Sequence, residues 1–232
     1  LMGKRALDDP RNKLVRSFVQ LVLELRPQYF VFENVKGLTI GAHRKFLHEL
    51  IEEFSSNGYD VVERFRVLNA ADYGVPQDRR RLFLLGALRG NPAPQYPSPT
   101  CTPVTDLQNR GLLAAAFANR PNGPTVWDAL CDLPDADDYP ELLEADLVRA
   151  DFGEPSSYGR LLRGISRASD DFSYDRVFDR TLLTSSLRAV HTSISRRRFE
   201  KTAFGETEPV SRFFKLDPNG ICNTLRAGTA SD

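Results

Sequence analysis

The sequence predicts an α/β fold: a wound sheet over residues 1–89, followed by a loop-rich region over residues 90–232. Three observations predict it. Helical and strand-like hydrophobic patterns alternate through the first part, which is the arrangement of an α/β sheet. The last two strand-like runs are separated only by residues 69–80, too few for a crossover helix, so they read as an antiparallel hairpin. Beyond Gly90, Pro92, Pro94, Pro97, Pro99 and Pro103 crowd together and mark a boundary.

Each element has a local reason. Asp9-Pro10 suits a helix start, because Asp accepts from free N–H groups and Pro fits the first helical position. Leu14, Val15, Phe18, Val19, Val22 and Leu25 then recur on one helical face until Pro27. Tyr29-Phe30-Val31-Phe32 is a continuous apolar run, expected as a strand covered on both faces. Gly37 and Gly41 precede a second helix carrying Phe46, Leu47, Leu50, Ile51 and Phe54, with Gly58 as its stop. Residues 61–68 read as one strand and 82–88 as another. Downstream the periodicity weakens and short elements are expected.

Composition narrows the class. The chain has 232 residues, 41% hydrophobic and 27% charged, which suits one soluble domain or two small ones. Net charge is zero, so any attraction to nucleic acid must be local. The charge is in fact divided: residues 132–151 hold eight acidic residues and one Arg, whereas 160–201 hold ten basic against five acidic. Cys101, Cys131 and Cys222 are too scattered for a disulfide framework or a CxxC metal site, and each reads as an inert thiol. No apolar run is long enough for a membrane span and no signal peptide is visible, so a cytoplasmic, reducing setting is expected. The chain starts at Leu1 and stops in mid-pattern at Ala230-Ser231-Asp232, and it reads as an internal piece of a longer protein.

Two short stretches carry chemistry. Phe32-Glu33-Asn34-Val35 places a carboxyl group at the end of a strand. Tyr73-Gly74-Val75-Pro76-Gln77-Asp78-Arg79-Arg80-Arg81 delivers guanidinium groups from the later hairpin. Alone, Glu33 would read as a capping carboxylate and Arg79-Arg80-Arg81 as a solvated charge run. Together they can grip one polar heterocycle from two sides. This pairing resembles the DNA cytosine-5 methyltransferase family, whose Glu-Asn-Val and Gln-x-Arg-x-Arg motifs bind the target cytosine.

The resemblance implies part of a Rossmann-like methyltransferase sheet, its later strands and hairpin, followed by a target-recognition region. It implies S-adenosyl-L-methionine as methyl donor, double-stranded DNA as partner and C5 of a cytosine as acceptor. A bacterial restriction-modification setting, with a cognate endonuclease, follows the same pattern. The chemistry explains the residue types. C5 of cytosine becomes nucleophilic once a thiolate adds to C6, and a proton or hydrogen bond at N3 eases that addition. Glu33 takes the N3 role, and burial at the strand end is expected to keep its carboxyl partly protonated. Arg81 takes the O2 role, stabilising the developing charge. Asn34 holds the loop through backbone bonds, while Arg79 and Gln77 order the hairpin or meet the nucleic-acid backbone.

Further stretches extend the likeness. Gly3-Lys4-Arg5 and Asp9-Pro10-Arg11-Asn12 look like the segment directly after the family's mobile catalytic loop, with Lys4 and Arg5 meeting phosphates. The Pro-Cys-Gln nucleophile and the glycine-rich cofactor motif would then lie before Leu1. Arg212-Phe213-Phe214-Lys215-Leu216-Asp217 and Thr224-Leu225-Arg226 resemble the late recognition region, with Arg226 as a DNA contact. The run Arg196-Arg197-Arg198 is expected on phosphates. Two rivals stay open: an inactive DNA-binding protein of the same fold, and the related branch that methylates transfer RNA. An oxidoreductase is not supported, since no GxGxxG fingerprint occurs.

Overall fold

A computed structural model describes residues 13–41, 43–62, 65–108 and 119–225. The expected helix start at Asp9-Pro10 lies outside them. The chain divides into two compact units, Leu1–Ala70 with Arg79–Pro99, and Ala71–Asp78 with Thr100–Asp232.

The first unit is an α/β layer. Helix α1 (Lys13–Leu25) leads to strand β1 (Tyr29–Val35), then a short 3-10 turn and helix α2 (His43–Ser56). Strands β2 (Tyr59–Val61), β3 (Arg66–Asn69) and β5 (Arg80–Leu88) complete it. The long strand β5 is central: β1 pairs antiparallel along one edge, and β2 and β3 pair antiparallel along the other. The hairpin expected around residues 69–80 is therefore present, as β3 with β5.

The single strand expected over 61–68 is instead two. Val61 faces Gly86 while Arg66 faces Phe83, so four residues, 62–65, span the two β5 positions 84 and 85. That excess of two residues interrupts the ladder, which Val62 still touches through its N–H to the Leu85 carbonyl at 2.9 Å.

The core forms where the helices meet the sheet. Val19 and Val22 of α1 and Phe46, Leu47, Leu50 and Phe54 of α2 pack on Phe30, Phe32, Tyr59, Leu82 and Leu84. Phe30 lies across Gly86, its register partner; a Cβ there would come within 2.2 Å of the Phe30 ring. This close approach lets Phe30 reach Phe54, with ring centroids 4.3 Å apart.

Strand β1 departs from expectation. Phe30 and Phe32 are buried, but Tyr29, Val31 and Val35 are exposed, as are Leu14, Leu21 and Leu25 on α1. Both helices cover the same face of the sheet, so the alternate residues of β1 remain open among the described residues.

The second unit is loop-rich, as its weak periodicity suggests. Its elements are β4 (Gln77–Asp78), α3 (Val104–Gln108), α4 (Val126–Leu130), β6 (Leu147–Arg149), α5 (Ser157–Leu162), β7 (Leu182–Thr184), α6 (Ser193–Lys201) and β8 (Cys222–Asn223). Thr125 and Asp128 form a capping box that starts α4. A small core joins Leu142, Ala150 and Leu183. The buried Asp132 carboxylate pairs with Arg163 at 2.5 Å.

Candidate active site

The register of β1 and β5 builds the central feature. Glu33 faces Phe83 and Val35 faces Arg81, so Glu33 and Arg81 are diagonal neighbours on the same sheet face. Arg81 Nε lies 3.0 Å from Glu33 Oε1, and Arg81 Nη1 donates to the Arg80 carbonyl at 3.0 Å. The two residues that the sequence singles out, forty-eight positions apart, are thus a direct ion pair.

The surroundings of Glu33 differ from those expected. Its side chain is 45% exposed, against 18% for Arg81. The strand end that carries it has no covering layer on that face among the described residues, so the enclosure expected around the carboxyl group is absent here. Beside it runs a cleft of about 310 Å³, lined by Leu14, Val15, Phe18, Val31, Phe32, Glu33 and Asn34. Asn34 bonds to backbone, its Oδ1 accepting from the Val35 N–H at 2.8 Å.

Arg79 is fixed through its main chain. Its N–H donates to Asn69 Oδ1 at 2.9 Å and its carbonyl accepts from the Ala70 N–H at 3.1 Å. These bonds close the neck of the hairpin and leave the Arg79 side chain exposed. Asn69 was not among the residues the sequence singles out; Asn at a hairpin neck was the available signal. Tyr96 was also missed, because its proline-rich segment reads as a linker. Its hydroxyl donates to the Phe83 carbonyl at 3.0 Å, and the Arg66 guanidinium lies 5.1 Å from its ring centroid.

Gln77 belongs to the second unit. It pairs in parallel with Cys222, and its Nε2 lies 3.5 Å from the Cys222 sulfur. Cys222 N–H donates to the Pro76 carbonyl at 2.9 Å, and Thr224 Oγ1 to the Asp78 carbonyl at 2.8 Å. The arm preceding Arg79 is therefore stitched to the Thr224 motif. Arg226, Lys4 and Arg5 lie outside the described residues.

The triplet on α6 splits into three roles. Arg196 pairs with Asp137 at 2.9 Å. Arg198 lies 3.5 Å from Glu208, which is 1% exposed and accepts from the Val210 and Ser211 N–H groups. Arg197 alone points out with no side-chain partner among the described residues.

The three cysteines are free thiols. Cys101 is buried and donates to the Ala71 carbonyl at 3.2 Å, and burial pushes its thiol above the usual range. Cys131 closes the end of α4, and Cys222 sits on β8. Among the described residues, no cluster of His, Cys, Asp and Glu could hold a metal ion.

A family model for C-5 cytosine-specific DNA methylase matches residues 1–129, more than half the chain. The chain belongs to that family. Across all 232 residues the chain is 56% identical to Type II methyltransferase M.XorII of Xanthomonas oryzae pv. oryzae, covering 50% of that protein. Type II methyltransferase M.AquIA of Picosynechococcus is 38% identical over 143 residues, 59% of this chain and 56% of that one. The chain thus spans about half the length of these curated relatives. Among solved structures, a crystal structure assigned as a DNA modification methyltransferase encoded within an E. coli prophage matches with a TM-score of 0.63. It is 25% identical, over 94% of this chain and 58% of that one.

Proposed function

We propose that the protein transfers a methyl group from S-adenosyl-L-methionine to C5 of a cytosine in a specific DNA sequence. Residues 1–89 supply the later half of the catalytic domain in this reading, and 90–232 the target-recognition region. The observation that carries it is the Glu33–Arg81 contact of 3.0 Å at the end of β1. The Type II names of the relatives support a modification enzyme paired with a restriction endonuclease; a bacterial cytoplasm is part of the same reading. No described helix is long and apolar enough to cross a membrane.

The pair suits one cytosine. Glu33 offers a hydrogen bond or proton to N3, which makes C6 more electrophilic toward a thiolate and C5 more electron-rich after addition. Arg81 already donates one N–H to Glu33 and another to the Arg80 carbonyl; its remaining donors reach O2, where negative charge develops. A base seated on the exposed carboxyl excludes water from it, so the base itself completes the enclosure that a proton donor needs. Asn69 and the Arg79 main chain hold the hairpin that delivers Arg81.

S-adenosyl-L-methionine supplies the methyl group. The described residues do not form a complete site for it: the cleft beside Glu33 is walled mainly by apolar groups and has no glycine loop to approach a nucleoside. This chain's residues act on the base.

Glu33→Gln tests the assignment in the intact protein. Gln keeps the shape and loses the carboxylic proton, so methyl transfer should fall by roughly two to four decades, the range for removing a general acid. DNA affinity should hold. Wild-type turnover in that variant would remove Glu33 from the mechanism.

A further inference from the structure

Strand β5 carries a defect on the edge away from β1, and one side chain fills it. Residues 62–65 exceed the two β5 positions they span, so the ladder lapses at Leu84 and Leu85, between β2 and β3. Val62 N–H still donates to the Leu85 carbonyl, at 2.9 Å. The Phe83 carbonyl, two residues away and so on the same edge, accepts from the Tyr96 hydroxyl at 3.0 Å. Burial raises the Tyr96 hydroxyl above its usual value, and main-chain hydrogen bonds from Leu85 and Arg66 oppose that rise. The hydroxyl therefore meets main-chain groups of both β3 and β5 at the break in the ladder. The Arg66 guanidinium covers its ring, 5.1 Å from the centroid.

The segment that delivers Tyr96 presents a side chain instead of another strand. Pro92, Pro94, Pro97 and Pro99 have no N–H for a ladder and fix φ. Pro97 also biases Tyr96, which precedes it, toward extended backbone. Asn91 anchors the start of the segment, donating to the Leu88 carbonyl from its N–H at 3.1 Å and from Nδ2 at 2.8 Å. The segment is thus pinned to β5 at two places, which a connector alone does not need.

We propose that Tyr96 is a positioning residue for the Glu33–Arg81 pair. Phe83, whose carbonyl it holds, faces Glu33 across one edge of β5 and Arg66 across the other. Arg81 lies two residues away on the same strand. The Tyr96 bond therefore fixes β5 beside both groups that grip the base. Without the hydroxyl, the Phe83 carbonyl loses its donor at the break, and β5 relaxes to find another. A small shift suffices, because a misplacement of about 1 Å costs up to about 10²-fold in rate. The proposal rests on the reading of Glu33 and Arg81 as the base-binding pair.

The test measures single-turnover methyl transfer by the intact protein, with saturating S-adenosyl-L-methionine and unmethylated genomic duplex DNA, beside DNA affinity and melting temperature. Tyr96→Phe removes one oxygen and keeps the ring, so the packing and the Arg66 contact persist. Its transfer rate should fall about 10-fold while DNA affinity stays at the wild-type value. Tyr96→Phe with Arg81→Lys should be no slower than Arg81→Lys alone, since Tyr96 acts through Arg81. Losses that multiply in the double variant would overturn the proposal. A wild-type rate in Tyr96→Phe would overturn it too, and a lower melting temperature beside that rate would make the hydroxyl purely structural. If Arg81→Lys is slow in the same series, that outcome strikes Tyr96 alone and leaves the base-binding reading standing. Wild-type rates in both Glu33→Gln and Arg81→Lys would instead refute that reading, and this proposal with it.

Discussion

Arg81 and Arg79 sit two positions apart in one motif, yet the structure gives them different work. Arg81 engages Glu33 through Nε and the Arg80 carbonyl through Nη1, a planar fork that Lys cannot reproduce. Arg81→Lys should therefore lower kcat/KM by about 10²–10³, the scale for losing a preorganised charge-stabilising donor. Arg79 closes the hairpin through main-chain groups that Ala also has. Arg79→Ala should leave kcat near wild type and weaken DNA binding in a salt-dependent way; single-turnover rates beside binding isotherms separate the two effects. The identity of the pair was legible because two motifs had to coincide in order. Its exposure was not. Tyr29-Phe30-Val31-Phe32 is apolar at every position, and such a run does not reveal which alternate residues a helix layer covers. The structure buries Phe30 and Phe32 and leaves Tyr29 and Val31 open.

Helix α6 shows why a run of charges is a poor guide at the scale of an element. At helical spacing, consecutive arginines point in different directions. Arg197 is free to meet phosphate, whereas Arg198 accompanies the buried Glu208. Arg197→Ala should reduce the salt dependence of DNA binding by about one phosphate contact, a slope change near 0.9. Arg198→Ala should instead lower the melting temperature, because it leaves a buried carboxylate without its cation. Calorimetry and salt titration of both variants check this division.

The same region should be acid-sensitive. Hydrogen bonds from Ser211, then Val210, with Arg198 nearby, hold Glu208 below the usual carboxylate range. Ser173, then Arg176, lowers Asp171 to about 2. Groups depressed in the folded state stabilise it above the unfolded carboxylate value, about 4, and lose that contribution as pH falls through the folded value. Melting temperatures should be level from pH 8 to about 5 and fall between about 4 and 2. Glu208→Gln should reduce that fall. The split of the 61–68 strand escaped the sequence for a related reason: two extra residues preserve alternation on both sides of the break, and nothing local records the shift.

For the whole molecule, the α/β order was legible because it rests on local periodicity and capping. The pairing of β4 with β8 was not. Gln77 and Cys222 are 145 residues apart, and no local pattern names so distant a partner. That pairing ties Gln77 and Asp78 to the segment from Cys222 to Thr224. The most direct test of the account is to give the intact protein labelled S-adenosyl-L-methionine with duplex DNA and, separately, transfer RNA, and to map the product. The account predicts 5-methylcytosine at one recurring sequence in the duplex and no label in the RNA. Methyl groups on an exocyclic nitrogen, label confined to the RNA, or no transfer at all would contradict it.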